Sequence, residues 1–396
     1  MGISSGEPSD AGHRAQPRGA DDPPATQTRL RHLKGLCGGL ILGLLVWVGA
    51  ASAERLRLAS FAAPLSRDGP GLLLRDILRG EDAQIAAIAD VVAHVAPDVL
   101  VLTDFDYDHD GQALAAFADL LAARGLRFDH RFALRPNSGM ATGQDMDGNG
   151  RLGEARDAQG YGRFAGDGGM AVLSRWPIDR DGLRDFSTLL WRDLPGAVLP
   201  VRDGASFPSE AAQAVQRLSS VGHWVVPVIT ETGPVALLLW SATPPVFDGP
   251  EDMNGLRNRD EARFWQVFLD GAFGPPPDDF VMIGNSNLDP ADGDGLHEAM
   301  VALLADPRLH DPHPASAGGA VAADPGQAGS AAEDTADWPD GAPGNLRVTY
   351  VLPAASLEVA GAGVFWPAPD DPAAALLGED GLAAGPHRLV WVDIVR

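Results

Sequence analysis

Thiols and lysines are almost absent from this 396-residue sequence, which has one cysteine, Cys37, and one lysine, Lys34. Cys37 lies inside the apolar run Gly35 to Ala50. A product cleaved beyond that run has no disulfide framework, no thiolate metal site and no cysteine nucleophile. After Lys34 every basic side chain other than histidine is an arginine. Positive charge is scarce too: 30 Lys and Arg face 54 Asp and Glu, a formal charge of −24. Residues 1–53 hold five basic against four acidic residues, so the acidic excess belongs to the remainder. Such a surface repels DNA and RNA at long range and argues against a nucleic-acid partner, although a local Arg-lined cleft still accepts a phosphoester.

A full membrane span is also lacking. Arg29, Arg31 and Lys34 precede the Gly35–Ala50 run, and Ala51-Ser52-Ala53 follows it. The basic flank, short apolar core and small-residue site read as a secretory signal cleaved before Glu54. This gives a secreted or periplasmic product. The alternative is a membrane anchor over 35–50, against which stands a run shorter than the roughly 20 residues a helix needs to cross. Residues 1–28 are polar and rich in Pro, Asp and Ala, either a disordered tail or the product of a start codon placed too far upstream.

What the chain does have is 45% apolar content, enough for a full core in one large or two ordinary domains. Leu56–Phe61 alternates with period two, as a strand does. Across Asp82–Val95, Ile85, Ile88, Ala89, Val92 and Val95 recur at helical spacing, and Val99–Leu102 is a continuous apolar run of the doubly covered kind. Gln112–Arg124 and Arg259–Leu269 read as helices, and Phe128–Leu134, Met170–Ser174, Val235–Trp240, Phe280–Gly284, Leu346–Leu352 and Arg388–Val395 as strands. The stretch 137–168 reads as a long ordered Gly/Asp loop, and about 315–340 as a mobile surface loop.

Polar residues collect at the strand ends. Asp104 follows Val99–Leu102, Ser241 follows Val235–Trp240, Asn285 and Asn287 follow Phe280–Ile283, Thr349 lies in Leu346–Val351, and His387 precedes Leu389–Val392. This order, with the segments Thr243–Gly249 and Asn254–Glu261, resembles the endonuclease/exonuclease/phosphatase superfamily over roughly residues 55–396. Echoes of a secreted bacterial subgroup stand at Thr103–Asp108, Ser241–Gly249 and Arg347–Pro353. The resemblance implies an α/β fold, a four-layer sandwich of two packed mixed β-sheets flanked by helices, over 54–396. It also implies a Mg²⁺-dependent phosphoester hydrolase, whose site residues would be the following.

The Asn that helps bind metal at the end of the first strand corresponds to Ala62, and the metal-binding Glu to Asp104. The phosphate-contacting His is Ser241, the water-activating Asp is Asn285, and the second amide of that motif persists as Asn287. The Asp that orients the catalytic His is Thr349. The Ser-Asp-His element reads Gly385-Pro386-His387, keeping the His and losing an acid. Phosphoester hydrolysis needs an ion, a positioned water, a base and donors for the developing charge. Asn285 has no protonation equilibrium to serve as base. Thr349 offers a hydroxyl to His387 but cannot stabilise an imidazolium as a carboxylate does.

The expectation is therefore a degenerate hydrolase with no resident cofactor, its partner unknown and a phosphorylated ligand admissible. The alternative is an active Mg²⁺ phosphoesterase that has recruited Asp104, Asp106, Asp108 and Asp289. Plainer readings stand beside these: His387 as a core histidine, Asn287 as a turn former, Asp104–Asp108 as a solvated loop, and Arg257–Glu261 as a helix start with structural ion pairs. A third functional reading is a calcium-dependent binding module. Asp145, Asp147 and Asn149 alternate as in a calcium loop, with Gly150 sixth and Leu152 eighth. Arg156 occupies the twelfth position, where Glu is expected, so Glu154 or Asp157 would have to substitute.

Overall fold

The computed structural model describes residues 54–339 and 343–396. The signal or anchor over 29–53 and the tail 1–28 lie outside the described residues. Among those described, no helix is long and apolar enough to cross a membrane.

In chain order the strands are β1 (Arg55–Phe61), β2 (Val99–Phe105), β3 (His130–Phe132), β4 (Gly169–Ser174), β5 (Arg184–Asp185), β6 (Val201–Arg202), β7 (Ala205–Ser206), β8 (Gly222–Thr230), β9 (Gly233–Ser241), β10 (Phe280–Asn285), β11 (Thr349–Pro353), β12 (Glu358–Val364) and β13 (Val390–Val395). The helices are α1 (Leu72–Arg79), α2 (Ala83–Val95), α3 (Gln112–Ala122), α4 (Glu210–Val215), α5 (Met253–Leu269), α6 (Glu298–Leu304) and α7 (Ala317–Val321). One sheet runs β12-β13-β1-β2-β4-β3 and a second runs β11-β10-β9-β8-β5, with β6 and β7 as a separate hairpin. Both large sheets are mixed: β1–β2 and β9–β10 are parallel and their other pairings antiparallel.

The sheets meet through β1, β2 and β13 on one side and β10 and β11 on the other. Leu58, Val99, Val101, Ile283 and Val392 are wholly buried, so this interface is a dry apolar core. The outer faces are covered by helices. Arg57 of β1 reaches the Val95 carbonyl at the end of α2, and Phe117 of α3 meets Phe105 of β2 edge-on. Against the second sheet, Phe264 and Trp265 of α5 pack on His223 of β8. The result is the helix–sheet–sheet–helix stack that the resemblance implied.

Local reasons set the element limits. Asp82 accepts the Ile85 amide and so starts α2, and Ala96 in a left-handed turn ends it. Among the elements the sequence reading did not name, three have a plain physical reason. β8 carries Pro227, which is tolerated because β5 pairs only with Trp224 and Val225 on that side. β12 is glycine-rich because Gly363 lies under the Trp391 indole, where a Cβ would come within 2.8 Å. α1 is bounded by Gly71 and Gly80, which obscured its period.

The segment 315–340 differs from the mobile surface loop expected there. It carries α7 and a 3₁₀ turn at Ala331–Glu333, and Asp334, Thr335 and Ala336 are buried. Thr335 supplies the reason: its hydroxyl accepts the amides of Val348 and Thr349, while its carbonyl accepts the Arg388 amide. A composition of Ala, Gly, Asp and Ser hid a segment held mainly by main-chain bonds.

Candidate functional site

The ends of β9, β10 and β11 lie abreast. Asn285 is in register with Ser241 on one side and Thr349 on the other. Gly284 permits this closeness, since a Cβ there would stand 1.9 Å from the Trp240 carbonyl oxygen. Asn285 accepts the Asn287 amide through Oδ1 and donates to Asn287 Oδ1 through Nδ2, both at 3.1 Å. Asn287, at φ 51°, donates its side-chain amide to the Ala242 carbonyl at 2.7 Å. Both amides are thereby engaged in shaping the turn. Ser241 and Asn285 are buried, and Thr349 is fully so.

His387 belongs to the segment entering β13 and pairs across an isolated bridge with Ala336. Trp338 meets its ring edge-on at 5.1 Å. Burial, with Arg388 adding to it, pushes the imidazole down to about 4, so it is neutral near pH 7. The hydroxyl–imidazole bond anticipated between Thr349 and His387 is not formed. Thr349 Oγ1 and His387 Nδ1 are each buried without a hydrogen-bond partner. The strip Thr335–Ala336 bonds to Val348 and Thr349 on one edge and to His387 and Arg388 on the other.

Asp104 sits at φ 71° where the β2–β4 register shifts, and no hydrogen bond or ion pair joins it to Asn285, Asn287 or His387 among the described residues. Burial drives its carboxyl up to about 7, opposed by a hydrogen bond from Ser66 and reinforced by Asp106 and Asp167. Asp106 rises to about 6, again chiefly through burial. The acids named as replacement ligands are committed elsewhere. Asp106 accepts the amides of Arg67 and Gly168, Asp108 those of Gln112 and Ala113, and Asp289 those of Ala291, Asp292 and Arg347. Ala62, at the end of the first strand, is buried and offers no ligand atom.

The sequence reading placed structural ion pairs in Arg257–Glu261 but missed what α5 does for the site. Arg257 donates to the carbonyls of Gln159, Arg217 and Leu218. Asn258 donates to those of Thr243 and Ser286, both at 2.7 Å. Glu261 accepts the amides of Ser220 and Thr243 and the Ser220 hydroxyl. One helix thus grips four loops. The available signal was spacing: Arg257 and Glu261 continue the stripe of Phe264, Trp265 and Phe268, which makes them buried polar groups.

In the acidic loop, ligand atoms of Asp145, Asp147 and Asp157 lie within 4.8 Å of one another. Asp157 takes the place that Arg156 could not fill. Asn149 turns away: its amide donates to Asp147 and Glu154 and its oxygen accepts the Arg151 amide. Asp145 is raised by burial but lowered on balance by the amides of Gly150, Gly148 and Asn149 and by Asp147.

Beside this arrangement of two packed mixed sheets with polar residues at the strand ends, the sequence matches the model of the Endonuclease/Exonuclease/phosphatase family over residues 75–385. The chain belongs to that family. Solved structures similar to it include an endonuclease/exonuclease/phosphatase from Beutenbergia cavernae DSM 12333, at 17% identity and TM-score 0.48, covering 86% of this chain and 71% of that one. A family protein from Bacteroides thetaiotaomicron gives 12% identity and TM-score 0.45 over 87% and 98% of the two chains. Sphingomyelinase C from Streptomyces griseocarneus gives 15% and 0.44 over 86% and 99%. No curated protein sequence matches. The family is generally metal-dependent, and the resemblance set out above carries its ion to the strand-end positions. There the residues present do not fit a magnesium ion. Asn285 and Asn287 bond each other, Thr349 carries no charge, the His387 imidazole is neutral near pH 7, and Asp104 is the one acid left among these positions.

Proposed function

We propose that this family member is a secreted pseudoenzyme, its ancestral metal-dependent phosphoester hydrolysis lost or strongly weakened and its present role one of binding or structure. The observation that carries this reading is that Thr349 Oγ1 and His387 Nδ1 are each buried without a hydrogen-bond partner, while Thr335–Ala336 bonds to the segments of both. A base, an orienting acid and a metal act as one machine, and losing a single base or orienting acid commonly costs about 10²–10⁴ in rate. The test uses residues 54–396 and bis(p-nitrophenyl) phosphate with Mg²⁺ or Mn²⁺. No metal-dependent turnover is expected. Turnover that disappears in both Asn287→Ala and His387→Ala would establish the alternative, an active enzyme with a remodelled site.

A second reading, calcium binding at Asp145, Asp147 and Asp157, is favoured by the convergence of their ligand atoms. Calcium accepts carboxylates at flexible geometry, and Asp157 sits on the 3₁₀ turn that closes the loop. It predicts a Ca²⁺-dependent rise in melting temperature that Asp145→Ala abolishes. An unchanged wild-type melting temperature in saturating Ca²⁺ would end it.

A further inference from the structure

A cavity of about 580 Å³ opens on the outer, helix-covered side of the first sheet, a size within the roughly 300–1,000 Å³ of small-molecule sites. Its walls come from His94 near the end of α2, Trp391 of β13 and the turn after β12 that carries Phe365, Trp366, Asp370 and Asp371. The start of the 315–340 segment closes one side, tied on by bonds from the Val364 amide to the Ala315 carbonyl and from the Gly318 amide to the Trp366 carbonyl. None of Ser241, Asn285, Asn287, Thr349 and His387 lines it, so it is a different place from the strand-end cluster.

The lining mixes rings with unmet polar groups. The His94 and Phe365 rings meet at 5.2 Å between centroids. The indole N–H groups of Trp366 and Trp391 donate to no protein acceptor among the described residues, although such groups usually find one when their ring is packed. Asp371 accepts the Ala373 amide, whereas Asp370 is exposed and makes no hydrogen bond or ion pair among the described residues. The walls therefore offer both donors and an acceptor. Charge narrows what can answer them. Arg57 lies over the Trp391 ring at 4.2 Å and Arg388 over the Trp366 ring at 4.5 Å, so each indole already holds a cation. A second cation is repelled there. No Lys or Arg lines the cavity, and Asp370 and Asp371 repel an anion. What remains is a neutral ligand whose groups both donate and accept, as hydroxyls do.

We propose that this cavity binds a neutral saccharide, with hydroxyls that accept from the indole N–H groups of Trp366 and Trp391 and donate to Asp370, and with C–H faces laid against the His94 and Phe365 rings. A hydroxyl given to a carboxylate is a charge-assisted bond, which makes Asp370 the strongest single contact. This goes beyond the pseudoenzyme reading and stands whether or not any hydrolysis remains, because the two places share no residue.

The test titrates the full chain by calorimetry and tryptophan fluorescence with glucose, N-acetylglucosamine, maltose and cellobiose, and with choline and inorganic phosphate as charged controls. At least one sugar is expected to bind and to change the tryptophan emission. Asp370→Asn, an exposed and nearly isosteric change that leaves the melting temperature unaltered, should weaken that binding by about tenfold, the worth of one hydrogen bond to a charged group. Trp391→Phe keeps a ring, removes the N–H donor and should weaken it as well. The proposal is overturned if none of the sugars binds at tens of millimolar, if Asp370→Asn binds as tightly as the wild type, or if choline or phosphate binds more tightly than every sugar.

Discussion

Replacing Asn285 by aspartate restores the acid that the family places at the end of β10, and the structure sets what that change does. In the native turn Asn285 donates to Asn287 Oδ1 and accepts the Asn287 amide. A carboxylate keeps the second bond but turns the first into a contact between two oxygens, at a residue only 6% exposed. Losing that hydrogen bond costs about 1 kcal/mol, and burying an acceptor without a new donor adds about 1–2 kcal/mol, so Asn285→Asp should destabilise by roughly 2–3 kcal/mol. It should not restore turnover, because Thr349 and His387 remain unpaired and no metal set is rebuilt. The assay pairs urea unfolding with hydrolysis of bis(p-nitrophenyl) phosphate in Mg²⁺ or Mn²⁺. The reasoning is refuted if the single variant gains metal-dependent hydrolysis of about 10²-fold or more, the range of one general base, and loses it again with His387→Ala.

Glu261→Ala should cost about 3–5 kcal/mol, since it orphans the amides of Ser220 and Thr243 and leaves Arg257 buried beside no acid. Glu261→Gln keeps an acceptor and should lose less than half as much in the same denaturation assay. Asp104 predicts a pH effect. Its folded value of about 7 lies above the unfolded one, so its contribution is full near pH 4 and is lost as pH rises through 7. Asp104→Asn should therefore raise the melting temperature at pH 8, by on the order of 1–2 kcal/mol equivalent, and change little at pH 4. A variant that loses stability equally at both pH values contradicts this. The six replacements Ala62→Asn, Asp104→Glu, Ser241→His, Asn285→Asp, Thr349→Asp and Pro386→Asp together should revive hydrolysis only if the cleft can reopen around Thr335–Ala336, a condition the same phosphodiester assay checks.

The long apolar runs were legible. Val99–Leu102 and Phe280–Ile283 are buried strands inside their sheets, as short apolar runs between breakers and too brief for a helix suggest. Strand-end position also placed Ser241, Asn285 and Thr349, which share a register. Asp104 was legible as an acid at a strand end but not as a carboxyl raised by burial, since that depends on neighbours such as Ser66 and Gly168 that lie far from it in sequence. The Thr335–Ala336 strip was illegible for a different reason. Its bonds run mostly through main-chain groups, which every residue carries, and composition says nothing of where they go. Arg257 and Glu261 were visible as charges, yet burial of a charge shows only against the apolar stripe beside it.

The grip of α5 has a consequence for what this chain can become. Arg257, Asn258 and Glu261 hold the strand-end loops mainly by main-chain carbonyls and amides, atoms that no substitution in those loops other than one to proline removes. Side chains on those loops can therefore change without breaking this grip, and the same independence makes this a scaffold on which a new set of loop side chains can be tried without rebuilding the frame.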